Sequence, residues 1–581
     1  MFVNDLNLHH AEKLQTDRIM KKIMIRKNWF TKVSLFTLLA VIIISIIILS
    51  LVPPISRDAL VHHLNVPKLY LQHWGMYEIP SLPFSYYPMN LDLIYLIPLH
   101  LGNDIAPKFI HFGFGLLTAW LIFGYLKRRL NAIYALFGAV FFLSIPIIVK
   151  LSITVYVDLG LIFFSTASLL LLLKWIKTGF QLRYLVLSAT MCGLALGTKY
   201  NGLLVFFLLT LFVPYLYSKY LKKKKGIIRP VGYGILFVII ALLMFSPWMI
   251  RNYLWKANPV YPLYDNWFNP SNPPTLSEID PEEAEEKGGL GLFAYRTISY
   301  NEPWWQIAII PIRIFFEGKD GSDKYFDGKL NPFLLILPMF AFLKIREENE
   351  VLTREKKLLL AFSALFFVFA FFSAVMRVRY IAPIVPPLVI LATFGLRNIV
   401  DYVKKIQNRT AQKTGTAILV LIVVLLLGMN VLYIIEQFRY VTPFGYLTGA
   451  VNREEYITKY RPEYPAMQYV NKNLSAESRL LLIFLGKRGY YCDREYIPDT
   501  RGQVNKLYRL IKNARRPNDL VVGFEEMGVT HLIIEIGLFS KWTTDLFDAK
   551  RRKLVKAFFA NYTSLIYFQN GVGLFRLTDN L

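Results

Sequence analysis

Asp58, Asp158, Lys199, Arg251, Arg377 and Arg379 each stand at the border of a long apolar run in this chain. Charge at such a place is costly, and by default it marks a functional site. A carboxylate can take the proton of an attacking hydroxyl. Guanidinium and ammonium groups stabilise charge developing on a departing phosphate, arginine through a bidentate fork. The set therefore suits an anionic phosphate leaving group and a hydroxyl or amine nucleophile. Asp58 and Asp158 are the catalytic candidates; Lys199, Arg379, Arg377 and Arg251 are candidates for holding the phosphate. His62, His63, Tyr156, Tyr200 and Tyr380 lie close to them in sequence and are candidates for substrate contact. If a divalent cation such as Mg or Mn takes part, Asp58 and Asp158 are the residues to hold it.

The same residues also have plainer roles. Asp58 could pair with Arg57 or cap the following helix, and Asp158 could cap the apolar run behind it. Lys199 could snorkel to the membrane interface, and one of Arg377 and Arg379 could anchor to lipid headgroups. Arg251 follows Pro247-Trp248, an interfacial pattern. Adjacent histidines on a helix point apart, so His62 and His63 are not expected to share a metal ion.

The elements that position these residues are spans. The chain has 581 residues, 55% hydrophobic and only 18% charged, with a mean hydropathy of +0.39. Soluble chains carry about 25% charge, and disorder is excluded by the same figures. The two cysteines, Cys192 and Cys492, exclude a disulfide framework and a CxxC zinc site. Stretches of membrane length lie near 33–53, 106–126, 131–149, 157–174, 183–198, 201–218, 230–250, 330–344, 358–375, 380–396 and 416–436. The first is read as a retained span. The pair around Gly197–Gly202 could instead be one interrupted helix.

Lys and Arg concentrate in short cytoplasmic loops. With the N-terminus inside, the inner segments hold 29 of them and the short outer segments six. That bias accounts for much of the net charge of +26, so no nucleic-acid partner is expected. The layout is a basic cytoplasmic N-terminus (1–32), a transmembrane core (33–437) with outer loops 54–105 and 251–329, and an extracytoplasmic tail (438–581). The run Glu282, Glu283, Glu285 and Glu286 reads as a solvated loop face. In the tail, Arg479–Leu485 and His531–Ile536 read as strands, Val504–Arg515 and Thr544–Phe559 as helices, and Leu565–Leu577 as a hairpin around Asn570-Gly571. The fold class is a polytopic α-helical membrane protein of about eleven spans with a small C-terminal α/β domain.

Asp58-Ala59-Leu60-Val61-His62-His63-Leu64-Asn65-Val66-Pro67-Lys68-Leu69-Tyr70 resembles the first outer-loop motif of membrane glycosyltransferases with the GT-C fold. The branch is that of the protein O-mannosyltransferases and aminoarabinose transferases (family 39). The agreement continues through Tyr156-Val157-Asp158, Gly197-Thr198-Lys199-Tyr200, Pro247–Asn252, Asn258–Pro262, Phe326-Asp327-Gly328 and Arg379-Tyr380. In place of the adjacent acidic pair common in the wider family, the first loop here carries Arg57-Asp58.

The resemblance implies inverting transfer of a hexose or pentose from a polyprenyl-phosphate donor, outside the cell (inner) membrane, to a protein, lipid or glycan acceptor. It implies Asp58 as the base or metal-associated acid, Asp158 as the second acid, and Lys199 and Arg379 as contacts to the lipid phosphate. The loop 251–329 would close over the site and the tail would help choose the acceptor. The rival reading is a transporter or flippase for a lipid-linked or anionic substrate. It calls for polar residues near the bilayer midplane and inverted repeats.

Overall fold

The computed structural model describes residues 28–220, 226, 228–270, 291–345, 348–372, 375–499 and 506–578. Most of the basic N-terminus, Lys222–Lys225 and the acidic run at 282–286 lie outside the described residues.

Helices occupy each of the stretches of membrane length. Those long and apolar enough to cross a bilayer are Asn28–Ser50, Ala106–Arg129, Asp158–Lys177, Gly202–Tyr220, Ile228–Lys256, Val378–Lys405 and Arg409–Val441. The stretch expected at 131–149 is two helices, Ala132–Ser144 and Pro146–Ser152, bent by 65°. Proline at the first position of the second helix explains the break: the residue before it is pushed out of helical geometry, and Ile145 has ψ 131°. Leu182–Leu196 and Phe333–Phe342 are shorter, and Glu350–Phe371 opens on a charged turn capped by the Asn349 side chain. Leu182–Leu196 and Gly202–Tyr220 are separate helices, so the break between them puts Lys199 at a junction rather than inside a span.

Small residues let the helices approach closely. A Cβ on Gly193 would lie 2.4 Å from the Ala241 carbonyl oxygen, and one on Gly395 would lie 1.9 Å from that of Leu337. Polar side chains tie helices across the core. Ser168 and Ser188 exchange hydrogen bonds of 2.8 Å to each other's carbonyls. Asn430 donates to Ser144 at 2.8 Å and accepts from Asn331 at 2.8 Å.

The tail is a five-stranded sheet in the order β2-β1-β3-β5-β4, formed by β1 (Arg479–Ile483), β2 (Glu495–Pro498), β3 (His531–Glu535), β4 (Thr563–Gln569) and β5 (Val572–Leu577). β1 runs parallel to both β2 and β3, whereas β5 is antiparallel to β3 and β4. The continuous apolar runs of β1 and β3 are buried on both faces, as parallel strands covered by helices require. Asn570 and Gly571 both have positive φ, 53° and 78°, as a two-residue hairpin turn of the primed type demands. Strand β2 was not expected. The helix expected at Thr544–Phe559 is two, Ile536–Leu546 and Ala549–Tyr562, because Asp548 leaves helical geometry and its side chain accepts from the Arg551 amide as an N-cap.

The tail packs on the first outer loop. Lys68 donates to the carbonyls of Tyr490 and Cys492 at 2.7 and 3.0 Å and to Asp493 at 2.7 Å. The Tyr490 amide donates to the Leu60 carbonyl at 3.2 Å, Tyr491 donates to the Pro54 carbonyl at 2.7 Å, and Asn65 bonds the Tyr496 hydroxyl.

Candidate active site

Asp58 ends the link from the first span and opens a short π-helical turn, Ala59–His63. Its carboxylate forms no cap hydrogen bond; instead it accepts from Nη1 of Arg379. Arg379 stands in the 3₁₀ turn Val378–Ile384 that opens the next-to-last span. That turn is fixed from below: the Val378 amide donates to the Phe326 carbonyl at 2.8 Å. Phe326 and Asp327 both hold positive φ, 65° and 36°, an expensive backbone for non-glycine residues that persists where surroundings enforce it. Here Lys150 does so, bonding the Asp327 carboxylate at 2.9 Å.

A second ion pair lies beside the first. Asp158 is the first residue of Asp158–Lys177 and only 1% exposed. It does not take the plainer role of an N-cap. The amide of Leu159 donates to Nε2 of His111 at 2.9 Å, while His111 Nδ1 bonds the Thr154 carbonyl at 3.1 Å, which fixes a neutral ring protonated on Nδ1. Asp158 is left to accept from Lys199 at 2.8 Å. Aromatic faces join the pairs. The Arg379 guanidinium lies 5.4 Å from the ring centroids of both Tyr156 and Tyr380, and the Lys199 ammonium lies 5.6 Å from that of Tyr380.

Among the described residues, three buried polar atoms here lack a hydrogen-bond partner: Nε of Arg379, a donor, Oδ2 of Asp158, an acceptor, and Nδ1 of His62. Such atoms are rare in folded chains and call for a ligand or ordered water. Burial works against a charged Asp58, but the guanidinium of Arg379 outweighs it and holds the carboxyl well below its usual range. Burial pulls the Lys199 ammonium down, with Asp158 opposing.

One sequence expectation is overturned. His62 and His63 do not point apart: their ring centroids are 3.9 Å from each other. His63 Nδ1 lies 2.8 Å from Asp92 of the helix Asn90–His100, and His62 stacks on Phe84. Sequence reasoning missed Asp92 and His111. A lone acid between Leu91 and Leu93 was the available signal for the former.

Of the remaining candidates, Arg251 and Tyr200 are placed apart from this cluster, whereas Arg377 borders it, 6.0 Å from the Tyr380 ring centroid. Arg251 donates to the carbonyls of Tyr86 and Tyr87 and lies 4.7 Å from the Trp248 ring centroid. Tyr200 joins that group, donating to the Tyr261 carbonyl at 2.7 Å and accepting from Asn252. Arg377 forks onto Asp323 at 2.9 and 3.3 Å. The carboxylates as arranged do not fit a metal ion, because Asp58 and Asp158 are each engaged by their own base. Among the described residues no group of three or more His, Cys, Asp or Glu is placed to hold one.

Residues 101–250, which include Asp158 and Lys199, match the family model of dolichyl-phosphate-mannose-protein mannosyltransferases. No curated protein sequence matches the chain. Among solved structures, the chain is similar to ArnT from Cupriavidus metallidurans bound to undecaprenyl phosphate. The TM-score is 0.54 at 13% identity, covering 94% of this chain and 98% of that one. It is also similar to the Archaeoglobus fulgidus oligosaccharyltransferase tethered with an acceptor peptide, with a TM-score of 0.53, 11% identity and coverage of 95% and 75%. The same archaeal enzyme in complex with an inhibitory peptide and a dolichol-phosphate gives a TM-score of 0.51 at 11% identity. The fold is that of the GT-C membrane glycosyltransferases, multi-pass and helical with a small C-terminal sheet domain. The resemblance to the family 39 branch carried by its motifs is met by the family model.

Proposed function

We propose that this protein transfers a hexose or pentose, with inversion, from a polyprenyl-phosphate donor to an acceptor hydroxyl on the outer face of the cell membrane. One observation carries the reading. Two ion pairs, Asp58–Arg379 and Asp158–Lys199, stand together and leave a buried donor, Arg379 Nε, and a buried acceptor, Asp158 Oδ2, without partners. A phosphate oxygen suits the first and a substrate hydroxyl the second. Polyprenyl-phosphate-dependent glycosyl transfer in general is supported by the family model and by neighbours solved with undecaprenyl phosphate and dolichol-phosphate.

Arg379 keeps Asp58 through Nη1 and offers Nε–H to the donor phosphate, so binding need not break the existing pair. Lys199 adds a second positive charge, and both stabilise the phosphate as the glycosidic bond breaks. Asp58 accepts a hydrogen bond from the acceptor hydroxyl and aligns it for in-line attack on the anomeric carbon, and Asp158 orients the substrate. Tyr156 and Tyr380 form apolar walls around the charges. The inner bias of Lys and Arg supports an extracytoplasmic position for this cluster and the tail.

The test uses the protein in lipid nanodiscs with undecaprenyl-phosphate mannose, glucose and arabinose, and a membrane extract as acceptor. Release of undecaprenyl phosphate from one donor, lost in Asp58→Asn, supports the transferase. A folded wild type that binds none of the donors would overturn it.

A further inference from the structure

The transfer proposed above must dispose of a proton, and Asp58 is a poor place to leave it. A general base works best with a pKa near the operating pH, whereas Arg379 holds the Asp58 carboxyl far below that. The structure offers another group. The i+5 hydrogen bond from the Leu64 amide to the Ala59 carbonyl, 2.9 Å, widens the turn after Asp58. His63 ends that turn beside the cluster: its ring centroid is 5.7 Å from that of Tyr156, whose face also meets Arg379. His63 is 5% exposed and its Nδ1 lies 2.8 Å from the Asp92 carboxylate, itself 2% exposed. With Nδ1 engaged, the second ring nitrogen, Nε2, is across the imidazole from Asp92.

We propose that Asp92 and His63 form a proton-accepting dyad for the transfer step: Asp92 holds the His63 tautomer with the proton on Nδ1, and Nε2 takes the proton of the acceptor hydroxyl. In that step the acceptor O–H bond breaks and its oxygen bonds the anomeric carbon. The bond from that carbon to the phosphate oxygen breaks, and its electron pair leaves with polyprenyl phosphate against Arg379 and Lys199. The imidazolium is balanced by Asp92 and Asp58 and returns its proton to solvent after product release. A carboxylate on Nδ1 raises the basicity of Nε2, the arrangement used by hydrolytic triads.

The charges facing His63 come from every element around it. Asp58 and His62 are on its own turn, Asp158 and His111 on two spans, Lys199 on the break between helices and Arg379 on the 3₁₀ turn. Burial pushes Asp92 up to about 7 and the His63 imidazole down to about 3, so the proton taken up near neutrality belongs to the pair, with Asp92 ionised beforehand, and not to the imidazole alone.

This inference rests on the transferase reading, and the experiment separates the two. His63→Asn keeps an amide N–H for Asp92 but has no nitrogen that accepts a proton; Asp92→Asn keeps a hydrogen-bond acceptor for Nδ1–H but removes the charge. In nanodiscs with the undecaprenyl-phosphate sugars, His63→Asn is expected to lower kcat at least about a hundredfold with the donor KM within about threefold. Asp92→Asn is expected to lose about tenfold and to abolish the acid limb near pH 7 that the wild type shows. A merely structural pair would not move that limb. Should His63→Asn fail to fold, Asp92→Asn decides, since its limb is either lost or kept. Wild-type release together with unchanged kcat and an intact acid limb in the variants overturns the dyad alone. No release by folded wild type from any donor overturns the transferase reading and the dyad with it.

Discussion

Arg379 donates to Asp58 across 321 residues of chain, joining the turn after the first span to the turn before a much later one. The side chains are 11% and 22% exposed, between a surface pair and a buried one. Asp58→Asn should lower turnover by about 10²-fold or more through lost alignment of the acceptor and cost about 1–3 kcal/mol of stability by leaving Arg379 unpaired. The double variant Asp58→Asn/Arg379→Gln should recover part of the stability but none of the activity, which thermal melts and nanodisc turnover would report.

Arg379→Lys separates charge from geometry. It can keep the pair with Asp58 but lacks the Nε–H that stands unpartnered. Binding of undecaprenyl phosphate should weaken about tenfold or more, roughly the loss of one charge-assisted hydrogen bond. Affinity equal to wild type by isothermal titration would remove Nε from the phosphate site.

Stability should follow the Asp92 proton. Burial raises the carboxyl of Asp92 to about 7 in the fold, against about 3.9 when unfolded. Between those values the folded state binds a proton that the unfolded state does not. This contribution to stability is present below about pH 4 and falls as pH rises to about 7. Asp92→Asn should flatten that slope, read as melting temperature against pH.

The tail should be felt at Asp58. Lys68→Met removes three hydrogen bonds to the segment Tyr490–Asp493. Amide exchange across residues 54–64 should speed up and transfer should fall several-fold, while undecaprenyl phosphate binding stays within about twofold. Unchanged protection of that segment would show the tail to be a passenger.

Chelation should matter little. Lys199 and Arg379 already meet the charge of both carboxylates, so EDTA followed by Mg or Mn should change turnover by less than about twofold. A tenfold dependence would show that a carboxylate gives up its base for an ion.

Asp58, Asp158, Lys199 and Arg379 were legible because charge beside an apolar run is expensive wherever the chain folds. Their pairing was not legible, since Asp58–Arg379 depends on how distant spans pack. The nearness of His62 and His63 was hidden too. Helical spacing sets neighbouring residues about a quarter-turn apart, and the two rings meet because Phe84 and Asp92, from later in the chain, hold them there. Strand β2 was invisible because four residues ending in proline, Glu495–Pro498, carry little strand signal of their own; the parallel edge of β1 recruits them. The break at Phe547-Asp548 could have been read from the acid itself, a cap residue inside an amphipathic run.

The bend at Ile145 also bears on how the chain crosses the bilayer. At about 1.5 Å per residue, the 13 residues of Ala132–Ser144 reach about 20 Å, against a hydrocarbon core of about 30 Å. That helix is of membrane length only together with Pro146–Ser152, on the far side of the bend. Lys150, which holds Asp327, stands on that second arm, so the angle at Ile145 sets where the arm meets the turn that carries Arg379.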